Sequence, residues 1–115
     1  MQFFGYTLDD ESKPMPELGP ESMAAMGKFV QEAMDAGVIV ATGGMAPTSM
    51  GVKVTAEGGE YTVVDGPFAE AKEIIGGWVL YEVDSIEEAV AWSKRFLAVL
   101  GYDAEVRIRP TFGPE

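Results

Sequence analysis

The chain has 115 residues, of which 47% are apolar and 23% charged, so we expect one hydrophobic core and a single domain over residues 1–115. Its 19 acidic and 8 basic side chains give a formal net charge of -11, which disfavours nucleic acid as a partner because phosphate would be repelled. Histidine and cysteine are both absent, which excludes thiol nucleophiles, disulfides, Cys/His zinc sites, histidine-ligated haem and histidine-containing triads. We therefore predict no cofactor and no transition-metal site.

No segment approaches the roughly 18 to 20 consecutive apolar residues of a membrane span. The N-terminal residues also lack the basic region and long apolar stretch of a signal peptide. The sequence therefore predicts a cytoplasmic protein with no membrane partner.

The first half of the chain predicts a strand, a helix and a second strand. Residues 2–8 are rich in aromatic side chains, and Gly5 among them permits a close backbone approach. A helix is predicted over 20–36, because proline suits its first position, apolar residues recur at helical spacing and a glycine follows its end. The β-branched residues at 38–42 predict the next strand.

A β-hairpin is predicted from residues 52–56 and 61–65. Gly58 and Gly59 lie between these runs and can adopt the positive φ angles of a tight hairpin turn. Valines alternate with polar neighbours on both runs, which predicts half-buried strands. The valines concerned are Val52, Val54 and Val63.

The second half predicts a strand at 77–83, a helix and a last strand at 104–110. Ser85 and Glu88 have the spacing of a capping box, in which each side chain binds the backbone of the other residue, so the helix is expected to begin there. Gly101 is expected to end it.

The predicted order is strand, helix, strand, hairpin, strand, helix, strand. This order predicts an α+β fold, a ferredoxin-like split βαβ sandwich with an inserted β-hairpin and both helices on one face of the sheet. The other face would carry aromatic side chains and have no cover. We therefore expect a homodimer in which a two-fold related partner covers that face.

One segment carries a recognisable signature. Residues 65–78, DGPFAEAKEIIGGW, closely resemble the signature of the YCII-related proteins, specifically their DGPF-domain subfamily. The similarity extends to Asp10-Glu11 near the N-terminus and to 105–107 in the last strand. It therefore covers nearly the whole chain.

The resemblance implies a dimeric α/β barrel, made by face-to-face pairing of two sheets, with a pocket at the open face of each subunit. In the wider YCII group a histidine and the aspartate of this motif face one another in the pocket. This chain has no histidine, so only Asp65 can be carried over. The resemblance also implies a functional link to sigma factors of the extracytoplasmic-function class.

Asp65 is the candidate catalytic residue, as a pocket acid or base. The alternative is a turn aspartate that accepts hydrogen bonds from nearby backbone N–H groups. The charged residues Glu70, Lys72 and Glu73 that follow the motif are interpreted as a solvated cluster.

The candidate ligand-binding residues are Trp78, Tyr81, Arg107 and Arg109. Trp78 and Tyr81 are separated by an odd number of positions, so they should lie on opposite faces of their strand, with one of them toward the cavity. The two arginines share a face with Glu105 and should point to the open side of the sheet. They either pair with acidic groups at the dimer interface or bind a small anionic or carbonyl-bearing ligand.

Two functions agree with these residues. One is a small-molecule enzyme of isomerase, dehydratase or hydrolase type that uses Asp65. The other is a non-catalytic small-molecule-binding or regulatory homodimer. The absence of histidine favours the second, because carboxyl groups ordinarily titrate near pKa ~4, far below neutral pH.

Overall fold

The computed structural model describes residues 1–10, 13, 16–68 and 74–112. These residues form an α+β structure with two α-helices and two antiparallel sheets. A short 3-10 helix, Thr48–Met50, follows the second strand. The main elements are β1 (Gln2–Asp9), α1 (Pro20–Asp35), β2 (Ile39–Gly44), β3 (Val52–Glu57), β4 (Glu60–Asp65), β5 (Ile74–Glu82), α2 (Ile86–Leu100) and β6 (Val106–Pro110).

The larger sheet has four strands in the order β2-β5-β1-β6, and every neighbouring pair is antiparallel. The two central strands are therefore β1 and β5, while β2 and β6 are its edges. β3 and β4 form a separate two-stranded sheet, which is the predicted hairpin. Its turn glycines have φ angles of 58° at Gly58 and 83° at Gly59, as a tight turn requires.

Most predicted boundaries agree with the structure within one or two residues, and β5 differs most. It begins at Ile74 instead of residue 77, because Ile74 and Ile75 continue the pairing with the end of β1 beyond an irregularity in the register. The predicted cap of α2 is present in a modified form. The Ser85 hydroxyl accepts from the Glu88 N–H at 3.3 Å, but the Glu88 carboxylate accepts from the N–H of Asp84 at 3.4 Å.

The core lies between the helices and one face of the four-stranded sheet. Phe3 and Tyr81 of the central strands are buried there with Ala33 of α1 and Ala89 of α2. Gly5 is needed at this face, because a Cβ atom added to it would lie 2.9 Å from Cγ1 of Val79. The close approach predicted at this glycine is therefore present, and it brings the side chains of neighbouring strands together under the helices.

One buried hydrogen bond joins the sheet to α2. The hydroxyl oxygens of Tyr81 and Ser93 are 2.7 Å apart, and both residues are buried. Burial raises the pKa of the Tyr81 phenol, and the hydrogen bond with Ser93 opposes this rise. The neutral phenol is therefore the form that the fold favours.

The hairpin departs from the sequence prediction. Its strands were expected to be half-buried, but all their residues are exposed, with Val54 at 65% and Val63 at 64%. Alternation gives the hairpin an apolar and a polar face, yet it carries no information on what covers the apolar one. In the described part of the chain, β3 and β4 pack extensively only on each other.

Replacement of Tyr81 by phenylalanine should change the alkaline stability of the protein. Because folding raises the pKa of this phenol, its contribution to stability is complete below the unfolded pKa of about 10 and is lost as pH rises above it. The free energy of unfolding of Tyr81→Phe should therefore decrease less steeply than that of the unmodified protein as pH rises above about 10. At pH 7 the variant should be about 1 kcal/mol less stable, because it lacks the hydrogen bond. Urea unfolding between pH 7 and pH 11 measures both effects.

Ser93→Ala is the matched control for this prediction. It removes the same hydrogen bond but leaves the buried phenol, whose desolvation is the larger cause of the shift. Its stability should still fall steeply at alkaline pH. Equal alkaline slopes for Tyr81→Phe and the unmodified protein would contradict the assignment to Tyr81.

Candidate functional site

The face of the four-stranded sheet directed away from the helices is called the open face below. Phe4 and Tyr6 of β1 lie there, directly opposite Leu80 and Trp78 of β5. The Phe4 ring stacks with the Trp78 ring at a centroid distance of 6.4 Å and lies 5.7 Å from the Tyr6 ring. The centre of the open face is therefore an aromatic cluster.

The arginines of β6 border this cluster. Arg109 is opposite Phe4 and Arg107 is opposite Tyr6, so both lie on the open face as predicted. Ile108, between them, packs against the core on the helix side. The Nε atom of Arg107 donates to Oε2 of Glu105 at 2.9 Å, whereas within the described residues Arg109 has no ion pair.

A cavity of about 90 Å³ lies on the other side of the sheet, beneath the helices; it is called the inner cavity. Its surface is mostly apolar, and Gly5 and Gly77 line it on the two central strands. Both helices contribute to its lining, with Phe29 and Val30 from α1 and Phe96 from α2. Thr7 and Thr42 also line this cavity, and the Thr42 hydroxyl donates to the Trp78 carbonyl at 2.7 Å.

A second cavity of about 440 Å³, the outer cavity, adjoins the first, since Thr7, Gly77 and Phe96 line both. It lies where β1 ends and β5 begins, and its lining adds the charged residues Asp9, Asp10, Lys13 and Asp103. The Asp9 carboxylate lies over Gly76, where any Cβ atom would overlap it. The apolar inner cavity is therefore continued by a region whose lining is still mostly apolar but includes charged residues.

The structure separates the four predicted ligand-binding residues. Tyr81 faces the helices and Trp78 stacks with Phe4 on the open face, so the two lie on opposite faces as expected from their spacing. Both contribute to the wall of the inner cavity. Arg107 and Arg109 contribute to neither cavity.

Asp65 is the last residue of β4; it is exposed and lines neither cavity. Among the residues that the structure describes, no hydrogen bond or ion pair to its carboxylate is present. The charged residues that follow it in the signature, Glu70, Lys72 and Glu73, lie outside the described residues.

The residues after Asp65 fix the base of the hairpin. The Gly66 N–H donates to the Gly51 carbonyl at 2.8 Å, and a Cβ atom at Gly66 would overlap the Thr48 carbonyl. Phe68 lies next to Gly51, with its Cζ atom 3.7 Å from the position of a Cβ atom there. These four residues, Thr48, Gly51, Gly66 and Phe68, form what is called the hairpin clamp.

Sequence reasoning did not find the cavity-lining residues Thr7, Val30 and Phe96. They come from three elements that are distant along the chain, so no local spacing links them. Gly5 and Gly77 also line the cavity, but neighbouring side chains already occupy the space next to each glycine, so they give no local signal of a cavity.

Within residues 1–10, 13, 16–68 and 74–112, no group of three or more acidic side chains could hold a metal ion. No helix in those ranges is long and apolar enough to cross a membrane.

Comparison with known proteins identifies the family. A model of the YCII-related domain matches residues 1–111. The chain belongs to the YCII-related family. An uncharacterized protein of Rhizobium meliloti (strain 1021) is 33% identical over 89 residues, which are 77% of this chain and 65% of that protein. The matched region thus spans somewhat less than two thirds of the relative.

Substitution of Gly66 by alanine should destabilise this YCII-related protein, because the added methyl group would overlap the backbone carbonyl of Thr48. Backbone must then move, and overpacking of this kind typically costs about 1 to 3 kcal/mol. The melting temperature of Gly66→Ala measures the loss.

Gly44→Ala is the control, because the Cβ atom there would meet only the Gly76 carbonyl at an ordinary contact distance of 3.9 Å. Its melting temperature should stay close to that of the unmodified protein. If both variants melt alike, the clamp does not constrain the fold.

Proposed function

We propose that this YCII-related protein is a homodimer that binds a small organic molecule without transforming it. The observation that carries the proposal is the pair of adjoining cavities, the first apolar beneath the helices and the second lined in part by charged residues at the end of the sheet. Ligand pockets commonly combine an apolar wall with a few polar groups that orient the molecule. Thr7, which lines both cavities, is suited to this orienting role.

The dimensions of the cavities limit the ligand. The outer cavity, about 440 Å³, lies in the range of about 300 to 1,000 Å³ that is usual for small-molecule pockets. The inner cavity, about 90 Å³, has room only for a short apolar group. The proposed ligand therefore has a compact apolar end and a larger end that carries at least one polar group.

The homodimer is proposed from the open face. Its strand order, β2-β5-β1-β6 with a helix after β1 and another after β5, supports a ferredoxin-like arrangement with an inserted hairpin. The aromatic cluster of Phe4, Tyr6 and Trp78 is the type of apolar surface that a second subunit covers. Face-to-face pairing of two such sheets would give the dimeric α/β barrel typical of the DGPF-type resemblance.

Arg107 and Arg109 are assigned to this interface. They border the aromatic cluster and lie outside both cavities, and Arg107 already has one carboxylate partner in Glu105. The guanidinium group of arginine binds carboxylates well at interfaces, and each copy of the chain has 19 acidic side chains. The alternative is that these arginines bind a small anionic or carbonyl-bearing ligand. Arg107→Gln separates the two assignments. If the arginines belong to the interface, this variant should weaken the dimer and leave ligand binding unchanged.

The enzyme alternative places Asp65 in the role of acid or base. Its position on the exposed hairpin, outside both cavities, gives this alternative less support than binding. Asp65→Asn should therefore leave ligand affinity unchanged. A loss of affinity in this variant would favour the alternative.

The oligomeric state tests the first part of the proposal. Light scattering at micromolar concentration should give twice the chain mass of 12.3 kDa. Phe4→Asp should yield a monomer, because it places a charge within the aromatic cluster of the open face. Met23→Asp makes the same change at an exposed position of α1 and should remain dimeric. An unmodified protein that is monomeric would contradict the homodimer.

Ligand binding tests the second part, by thermal shift against a panel of small carboxylic acids, ketones and amines. A ligand at 100 times its dissociation constant stabilises the native state by about 2.7 kcal/mol, which is on the order of 10 °C for a domain of this size. Val30→Phe should abolish the shift, because the larger side chain fills the inner cavity. Val90→Phe, on an exposed part of α2, should retain it. Equal shifts in the two variants would place the ligand elsewhere.

A further inference from the structure

The hairpin has one apolar face with no cover in the described chain. Side chains directly opposite one another in a ladder share a face, and residues two apart along a strand do so too. By this rule one face of β3 and β4 is apolar up to Asp65 at its base. It is called the hairpin face and consists of Val52, Val54, Ala56, Tyr61 and Val63.

This face is strongly exposed. Tyr61 is 80% exposed, Val54 65% and Val63 64%. An isolated two-stranded hairpin is marginally stable in water, and a large exposed apolar surface commonly marks a contact with another molecule. The hairpin clamp holds only the base of the hairpin. The hairpin face is therefore a candidate contact surface.

The dimensions of the subunit support a cover from outside. The radius of gyration is 16.3 Å, whereas a compact chain of about this length would have roughly 13 Å. The described residues extend over 46 × 37 × 19 Å, so the subunit is flat and elongated. Such a shape is typical of a subunit in which one part projects beyond its own core.

Charge favours a second copy as the cover. Two copies of net charge -11 repel each other over most of their surfaces, so they can meet only where acidic groups are few. The hairpin face and the open face are two such surfaces: one ends in the single carboxylate Asp65, and the other carries Arg107 and Arg109, with Glu105 paired to Arg107. Neither Asp65 nor Arg109 has an ion-pair partner among the described residues. Nucleic acid and anionic lipid fit poorly, because the hairpin face holds no cation; Lys53 lies on its opposite side.

We infer that the hairpin face packs against the partner subunit of the homodimer, with Tyr61 as its largest apolar contact. This inference rests on the proposed homodimer and adds a second contact region to it. Under two-fold symmetry each hairpin packs on the other copy, so both hairpin faces are covered by one operation. The hairpins would then fasten the pair of sheets that meet at their open faces.

The absence of cysteine from the chain gives a direct test. Single thiols are introduced at neighbouring positions of β4, on opposite faces: Val63→Cys on the hairpin face and Thr62→Cys on the polar face. Both original residues are β-branched and exposed in the single chain, so the pair is closely matched. The measured quantity is the rate at which each thiol reacts with Ellman's reagent, since access governs this rate.

In the dimer the thiol of Val63→Cys should react at least about tenfold more slowly than that of Thr62→Cys, because the partner subunit would bury it and restrict access of the reagent. Dilution until light scattering gives the mass of one chain should make the two rates equal. The same equality should follow when Phe4→Asp is added to each variant. Dilution keeps the test decisive if Phe4→Asp does not fold.

The outcomes separate this inference from the homodimer itself. Equal rates in a protein that remains dimeric overturn the hairpin contact and leave the homodimer intact. A monomeric unmodified protein overturns both. Slow reaction of Val63→Cys that persists in the monomer means that the chain covers its own hairpin, which also overturns the inference.

Discussion

The structure depends on the two-sided apolar character of β1. This central strand places Phe3 and Gly5 toward the helices and Phe4 and Tyr6 toward the open face. In a sheet with helices on one side only, a strand of this kind leaves an apolar surface exposed. The same strand contributes Gly5 and Thr7 to the lining of the inner cavity. One eight-residue strand thus takes part in the core, in the inner cavity and in the aromatic cluster of the open face.

Local signals in the sequence were sufficient for the elements. Proline at the start of α1, Ser85 before α2 and glycines after both helices predicted helices that are present within one or two residues. Alternation also predicted correctly that Trp78 and Tyr81 point in opposite directions. The sequence did not show the early start of β5, because the pairing of Ile74 with the end of β1 is a contact between distant segments.

Burial and cavities were harder to predict, because they depend on what lies opposite a residue. The valines of the hairpin alternate as half-buried strands do, but the pattern is the same whether a face is covered by the same chain, by another chain or by water. Similarly, the lining of the inner cavity comes from segments far apart in sequence, among them Gly5, Gly77, Phe29 and Phe96. Arg107 and Arg109 were placed on the correct face from alternation alone, yet alternation could not tell that both lie away from the cavities.

The hairpin clamp changes the meaning of the signature that begins at Asp65. Gly66 and Phe68 are explained by contacts with Thr48 and Gly51, at the point where the chain leaves the sheet and returns to it. Gly66 and Phe68 therefore belong to an architectural joint. A relative that shares this glycine and phenylalanine is expected to attach a hairpin in the same way. Under the proposed function, the choice of ligand in such a relative would be determined by the strands and helices around the cavities, and the signature would carry no information about it.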